Sequence, residues 1–366
     1  MSGYQYPKGK LDRYCYDIYG KFTVCANLPL FEEFPRTELD KPDLIINVVD
    51  DIDPDLKDAV KLRDGFYGAE NERWVYLSRN FFRKRIEIFL RNLEDQTELW
   101  INRNLIRLIK MSFPPRDLFT FWNLVNAVSL TKLLQKNCTF VHAASLDYNG
   151  HGILLPAYPN TGKTVTCLKL LSQNVPNDTI NGGIRVLSDD LTLLDSSGFS
   201  YELKSFMASL VAIKESGIDI RTKFTTLKRL SDSLSFYLSK LPFFPVYRYI
   251  GYIDVKQRIS NRQASVNKSK IDLICILEKG ADEVKKINKD DALRKIWSIN
   301  RRELYLFPSS IIWTYFYFNN DLQLPELQNR ERMIIKNALD NAECYILRVS
   351  DNHSYVLLLQ DFLRRW

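Results

Sequence analysis

None of the six cysteines, Cys15, Cys25, Cys138, Cys167, Cys275 and Cys344, belongs to a C-x-x-C pair. The pattern that builds zinc knuckles and ribbons is therefore missing. Several of these cysteines sit in apolar stretches, where a thiol behaves as a small hydrophobe. No apolar run approaches the roughly 20 residues needed to span a bilayer, and the richest, Ile311 to Phe318, is far too short. The first residues, MSGYQYPKGK, are polar and lack the apolar core of a signal peptide. Internal repeats and low-complexity tracts are absent as well. These gaps exclude a helical membrane protein and set a reducing cytoplasm as the expected location.

What is present suits a folded protein of one large domain or two. The 366 residues are 45% apolar and 13% aromatic, ample for a core and too rich for long disorder. The net charge of +7, from 51 basic and 44 acidic residues, is spread along the chain. Clusters such as Arg83-Lys84-Arg85 and Arg301-Arg302 read as solvated faces, so nucleic acid is not an expected partner.

Residues 11–26 alternate aromatic and β-branched residues on either side of Gly20-Lys21, which predicts a hairpin. Leu44 to Val49, Trp74 to Leu77, Arg85 to Leu90 and Leu99 to Asn102 predict strands, with Glu87, Asn92 and Glu94 on outward faces. The acidic run Asp50-Asp51-Ile52-Asp53 reads as a solvated loop. From Leu118 to Leu134 the apolar period becomes helical, starting near Pro115-Arg116-Asp117. Residues 1–136 thus read as a β-rich region ending in a bridging helix, and 137–366 as a second domain. There, strands are expected at Cys138 to Ala144, Gly152 to Pro156, Ile184 to Leu187, Leu191 to Leu194, Ile271 to Leu277 and Cys344 to Val349. Asp147-Tyr148-Asn149-Gly150 marks a hairpin turn. Helices are expected at Lys289 to Ile296, Glu326 to Asn341 and Tyr355 to Trp366. The stretch Lys204 to Gln263 suits a substrate-facing lid or a plain excursion.

The most informative stretch runs from Gly152 to Asp190. An apolar strand leads into Ala157-Tyr158-Pro159-Asn160-Thr161-Gly162-Lys163-Thr164, and a helix-spaced segment follows. This fits the phosphate-loop template G-x-x-x-x-G-K-[ST], with Ala157 in place of the first Gly. Loop amides and a helix start attract phosphate oxygens. Gly162 lets the backbone approach them, Lys163 would neutralise the β- and γ-phosphates, and the Thr164 hydroxyl would be a ligand of Mg²⁺. Ala157 is expected in a conformation usually given to Gly. About twenty-five residues later, Asp189-Asp190 close the apolar strand Ile184 to Leu187. One carboxylate there could hold Mg²⁺ while the other accepts a proton from an attacking hydroxyl.

Taken together, Phe140-Val141-His142-Ala143-Ala144, PAYPNTGKT and VLSDDLTLL resemble the kinase domain of HPr kinase/phosphorylase, whose nucleotide site is shared with ATP-dependent phosphoenolpyruvate carboxykinases. The DIYG string at Asp17 to Gly20 is similar to the start of the HPr-kinase-like proteins. The resemblance implies an α/β fold: a mixed-sheet P-loop kinase core over 137–366, with a smaller β-rich α+β region over 1–136. It gives ATP to Ala157, Asn160, Thr161, Gly162, Lys163 and Thr164, and Mg²⁺ to Thr164 and Asp190. Asp189 would be the base, Lys163 the charge stabiliser, and His142 would line the phosphate pocket. The roles of Asp189 and Asp190 stay exchangeable, and His151 and His353 gain no role. The implied reaction moves the γ-phosphoryl group to a hydroxyl on a protein serine or a small metabolite. Homo-oligomers are also implied. The second signature that helps HPr kinases hold their protein substrate is not found. Two alternatives remain: a carboxykinase-like enzyme acting on a small organic acid, and a nucleotide-binding regulator without turnover, motivated by Ala157 alone.

Overall fold

The computed structural model describes residues 13–18, 20–31, 36–39, 41–62, 65–81, 84–109, 121–173, 183–202, 207–209, 216, 252–254, 267–304, 310–321, 323–351 and 354–366. The expected helix start at 115–117, Arg83, Tyr19, His353 and nearly all of 204–263 lie outside them. The fold is mixed α/β, with mixed sheets and several helices. The chain divides into two compact units, Met1–Lys136 with Leu306–Asn329, and Asn137–Tyr305 with Arg330–Trp366.

The first unit is built on an eight-stranded sheet. Its strands are β1 (Tyr14–Ile18), β2 (Phe22–Ala26), β3 (Leu44–Val49), β4 (Val60–Lys61), β5 (Phe66–Gly68), β6 (Trp74–Phe81), β7 (Lys84–Arg91) and β8 (Thr97–Asn102). They lie in the order β1-β2-β3-β8-β7-β6-β5-β4. β3 pairs in parallel with both β2 and β8. Its run Leu-Ile-Ile-Asn-Val is buried throughout, as expected of a strand covered on both faces. Helices α1 (Arg103–Ile109) and α2 (Phe121–Gln135) follow the sheet. Cys15 and Cys25 face each other across the β1–β2 hairpin and form a disulfide, whereas the other four cysteines are free and buried.

Glu87 corrects the expectation of an outward polar face. It is buried, and its carboxylate accepts from Tyr76 Oη (2.5 Å), Asn102 Nδ2 (3.3 Å) and the Ile52 amide (3.3 Å), with Arg85 Nε at 3.2 Å. A buried carboxylate needs such partners to remain in an apolar sheet.

The second unit holds a nine-stranded sheet. β9 (Cys138–Val141), β10 (Ala143–Tyr148), β11 (His151–Pro156), helix α3 (Lys163–Gln173), β12 (Ile184–Ser188), β13 (Thr192–Asp195) and β14 (Phe199–Tyr201) come first. β15 (Met207–Ser209) and β16 (Tyr252–Asp254) form a separate antiparallel pair. Then come β17 (Lys268–Lys279), β18 (Glu283–Lys286) and α4 (Lys289–Glu303). α5 (Ser310–Phe318) groups with the first unit, and α6 (Leu324–Asp340) runs from one unit's residues into the other's. β19 (Glu343–Val349) and α7 (Ser354–Arg365) end the chain.

Strand β17 belongs to three ladders. Its first residues pair antiparallel with β14, and from Ile271 onward it runs parallel to β11 and β19. A Cβ on Gly152 would stand 2.3 Å from the Lys270 carbonyl oxygen, so only glycine lets β11 lie this close to β17. Between β10 and β11, Asn149 (φ 53°) and Gly150 (φ 90°) supply the two left-handed residues of a tight hairpin. Leu168 and Leu171 of α3 and Tyr355 and Leu359 of α7 pack on apolar residues of β10, β11, β17 and β19.

Candidate active site

Sheet register alone brings three distant segments together. β12 and β11 each run antiparallel to β10, so they point the same way. Their C-terminal ends share one sheet edge with the start of β10. Ala143 lies opposite Pro156, and Ser145 opposite Ser188. His142, the 157–164 loop and Asp189-Asp190 must therefore meet at that edge. The expected strand over 138–144 is in fact broken at His142, where β9 ends and β10 begins.

The loop after β11 has a conformation that its sequence explains. Thr161 donates to the Tyr158 carbonyl through its amide (3.4 Å) and its hydroxyl (2.7 Å). Pro159 presets its own φ, and Asn160 takes φ 62°, the pattern of a type II turn. Gly162 takes φ 110°, which side-chain-bearing residues avoid. Ala157 has no left-handed backbone, contrary to expectation; it is buried and forms a parallel bridge with Leu277. The conformational demand fell on Asn160, which tolerates it. Lys163 then opens α3, and the Gly162 carbonyl accepts from both the amide and the hydroxyl of Thr166 at 2.9 Å. Thr164 is half-buried in the first turn.

Four groups converge beside this loop. Lys163 Nζ is 3.1 Å from Asp190 Oδ1 and 3.3 Å from His142 Nε2. His142 Nε2 is itself 3.1 Å from Asp190 Oδ1. The other ring nitrogen, Nδ1, donates to the Ala157 carbonyl at 2.9 Å. A carbonyl can only accept, so Nδ1 donates there; the Asp190 carboxylate can only accept too, so Nε2 donates to it. Lys163 and His142 are buried, while 61% of the Asp190 side chain is exposed. The cluster therefore opens to solvent on its acidic side.

The two neighbouring carboxylates are pushed in opposite directions. Burial raises the pKa of Asp189 to about 8, and the charge of Asp190 adds to the rise while Lys163 opposes it. Burial also acts to raise Asp190, but the His142 hydrogen bond and the Lys163 charge outweigh it and hold this carboxyl well below the usual range. Two carboxyls with opposed shifts are the arrangement that acid–base chemistry uses.

Three residues that the motifs did not single out support the cluster. Asn300 on α4 is fully buried; it accepts from the His142 amide and donates to Phe140 O and to Glu331 on α6. Glu331 is buried and paired with Arg301, so Arg301 is not a solvated residue, although Arg302 is 73% exposed. The signal was in the helical spacing. Asn300 falls on the buried stripe of Ala292, Ile296 and Ile299, and Glu331 on that of Leu327, Ile335 and Ala338. His151 lies at the far end of β11, where it pairs with Asp272.

No protein-family model matches the chain, and no curated protein matches it. Among solved structures, the Hpr(Ser) kinase/phosphatase from Coxiella burnetii is similar to it, with 13% identity over 62% of this chain and 95% of that chain, at a TM-score of 0.28. A likeness at that level carries no argument, and the functional reading rests on the site itself.

Proposed function

We propose that the chain is an ATP- and Mg²⁺-dependent phosphotransferase with a P-loop kinase core in the unit Asn137–Tyr305 plus Arg330–Trp366. The observation that carries this is the 3.1 Å approach of Lys163 Nζ to Asp190 Oδ1 at the mouth of a strand–loop–helix turn. A cation and an acid from segments far apart in sequence share one solvent-open point, beside the N-terminus of an eleven-residue helix.

The residues present fit the nucleotide. Gly162 at φ 110° and the first amides of α3 form an anion-attracting turn. The Thr164 hydroxyl and the Asp190 carboxylate are hard oxygen donors, which suit Mg²⁺ with most of its waters retained. When bound, ATP supplies the phosphoryl group and Mg²⁺ the positive charge that offsets it. Lys163 would exchange its hold on Asp190 for phosphate oxygens, and the loop amides would hold the same oxygens. His142 keeps Asp190 and the loop start in register through its two ring nitrogens. Asp189, with a pKa of about 8, accepts the proton of the acceptor hydroxyl close to working pH. Most of the rate gain would come from positioning and charge stabilisation. The acceptor is a protein serine or a small hydroxyl metabolite. Ala157 adopts an ordinary backbone, so the loop accommodates it without strain.

The direct experiment is an ATP-consumption screen against hydroxyl-bearing metabolites, serine peptides and oxaloacetate, with Lys163→Ala as control. Transfer to a hydroxyl that vanishes in the variant supports the reading. CO₂ release from oxaloacetate, or turnover that survives in the variant, overturns it.

A further inference from the structure

His142 stands where edge strand β9 ends, and its backbone has an unusual partner there. On one side Val141 pairs with Thr192 of β13. On the other side no strand follows β9 in the sheet path among the described residues. The side chain of Asn300 takes the place of one. Its Oδ1 accepts from His142 N at 2.9 Å, and its Nδ2 donates to Phe140 O at 3.2 Å. These are the two bonds that a parallel neighbour would make around Val141. The second Nδ2 hydrogen goes to Glu331 Oε1 at 3.2 Å. Glu331 is fully buried and also holds Arg301, whose guanidinium lies 4.5 Å from the Trp297 ring centre. A carboxylate can only accept, so Glu331 fixes which end of the amide faces which backbone group.

We propose that Asn300, oriented by Glu331, is a positioning residue for the site: it clamps the chain at His142 and so sets where the imidazole meets Ala157, Lys163 and Asp190. Without the clamp, the His142 amide and the Phe140 carbonyl would lose their buried partner. The bend that aims the ring would then relax.

The test reads the ring directly, in the full-length protein at one pH. Selective ¹⁵N-histidine labelling gives a sparse spectrum, because the chain has three histidines. His151, whose Nδ1 is 2.8 Å from Asp272 Oδ2, is the internal control. In Asn300→Ala, the His142 Nδ1–H resonance should shift and broaden as its bond to the Ala157 carbonyl loosens, while that of His151 stays in place. Glu331→Gln, nearly isosteric, should move His142 in the same direction by less, and it carries the test if Asn300→Ala does not fold. An unmoved His142 resonance in either folded variant overturns the proposal. A second readout rests on the phosphotransferase reading: kcat should fall roughly tenfold, as when a supporting hydrogen bond is removed, with KM for ATP within about twofold. If the wild type turns over no ATP, that reading fails, and the resonance still decides the role of Asn300.

Discussion

Lys163 Nζ and Asp190 Oδ1 lie 3.1 Å apart, although the two residues are 27 positions apart in sequence. The pair exists because β11 and β12 run the same way on either side of β10. Against burial, the His142 hydrogen bond and the Lys163 charge hold Asp190 below the usual carboxylate range, whereas burial and then the Asp190 charge raise Asp189 to about 8.

Asp189→Asn should leave nucleotide affinity nearly unchanged and lower phosphoryl transfer by roughly 10²–10⁴-fold, the usual worth of a positioned base. Single-turnover kinetics with saturating ATP measures it. If the loss lies wholly in nucleotide or Mg²⁺ binding, Asp189 is a metal ligand and the two aspartates exchange roles.

The same residue predicts a pH dependence of stability with a definite sign. In the unfolded chain its pKa is near 3.8, and in the native protein about 8. Between those values the native state binds more protons than the unfolded state. Its contribution is therefore complete below about pH 4 and declines as pH rises toward 8, by up to roughly 1.4 kcal/mol per pH unit. Asp189→Asn should remove this slope and be more stable than wild type at pH 8. Urea midpoints measured from pH 5 to 8 would show it, and parallel curves for the two proteins would refute it. For transfer the dependence is opposite: kcat/KM should rise with pH toward about 8 as the base loses its proton.

In the first unit, Glu87→Ala leaves the Tyr76 hydroxyl and the Asn102 amide without their carboxylate partner. It should destabilise by about 3–5 kcal/mol, the cost of breaking a buried charge network. Glu87→Gln, which keeps an acceptor for Tyr76, should cost less. Equal and small losses in both variants would mean that the network contributes little.

Thiol counting separates two readings of the cysteines. The disulfide between Cys15 and Cys25 leaves four free thiols, Cys138, Cys167, Cys275 and Cys344. Titration in denaturant without reductant should therefore give four reactive groups, and six after reduction. Six before reduction would return all the cysteines to the role of small hydrophobes that their apolar settings first indicated.

Much of the site was legible because its parts are local. The Gly-Lys-Thr string, the Asp pair and the Asp147–Gly150 hairpin each fit a short-range rule, and the hairpin sets the register that gathers them. The departures have separate physical causes. The template's Gly points to a strained position at Ala157, whereas Pro159 and Asn160 place the turn three residues on. Glu87 escapes the pattern because alternation distinguishes two faces without saying which is covered. Helix α4 runs to Glu303 instead of ending near Ile296, since Arg301 is held by buried Glu331 and not by water. The helix at Ser310–Phe318 is rich in β-branched and aromatic residues, so local propensity hides it.

Titration calorimetry of the full chain with ATP, with and without Mg²⁺, tests the central claim most directly. The account predicts saturable binding that Mg²⁺ strengthens, that Lys163→Ala weakens at least tenfold, about 1.4 kcal/mol, and that loses its Mg²⁺ dependence in Asp190→Asn. Absence of binding in the wild type, or equal binding in Lys163→Ala, would contradict it.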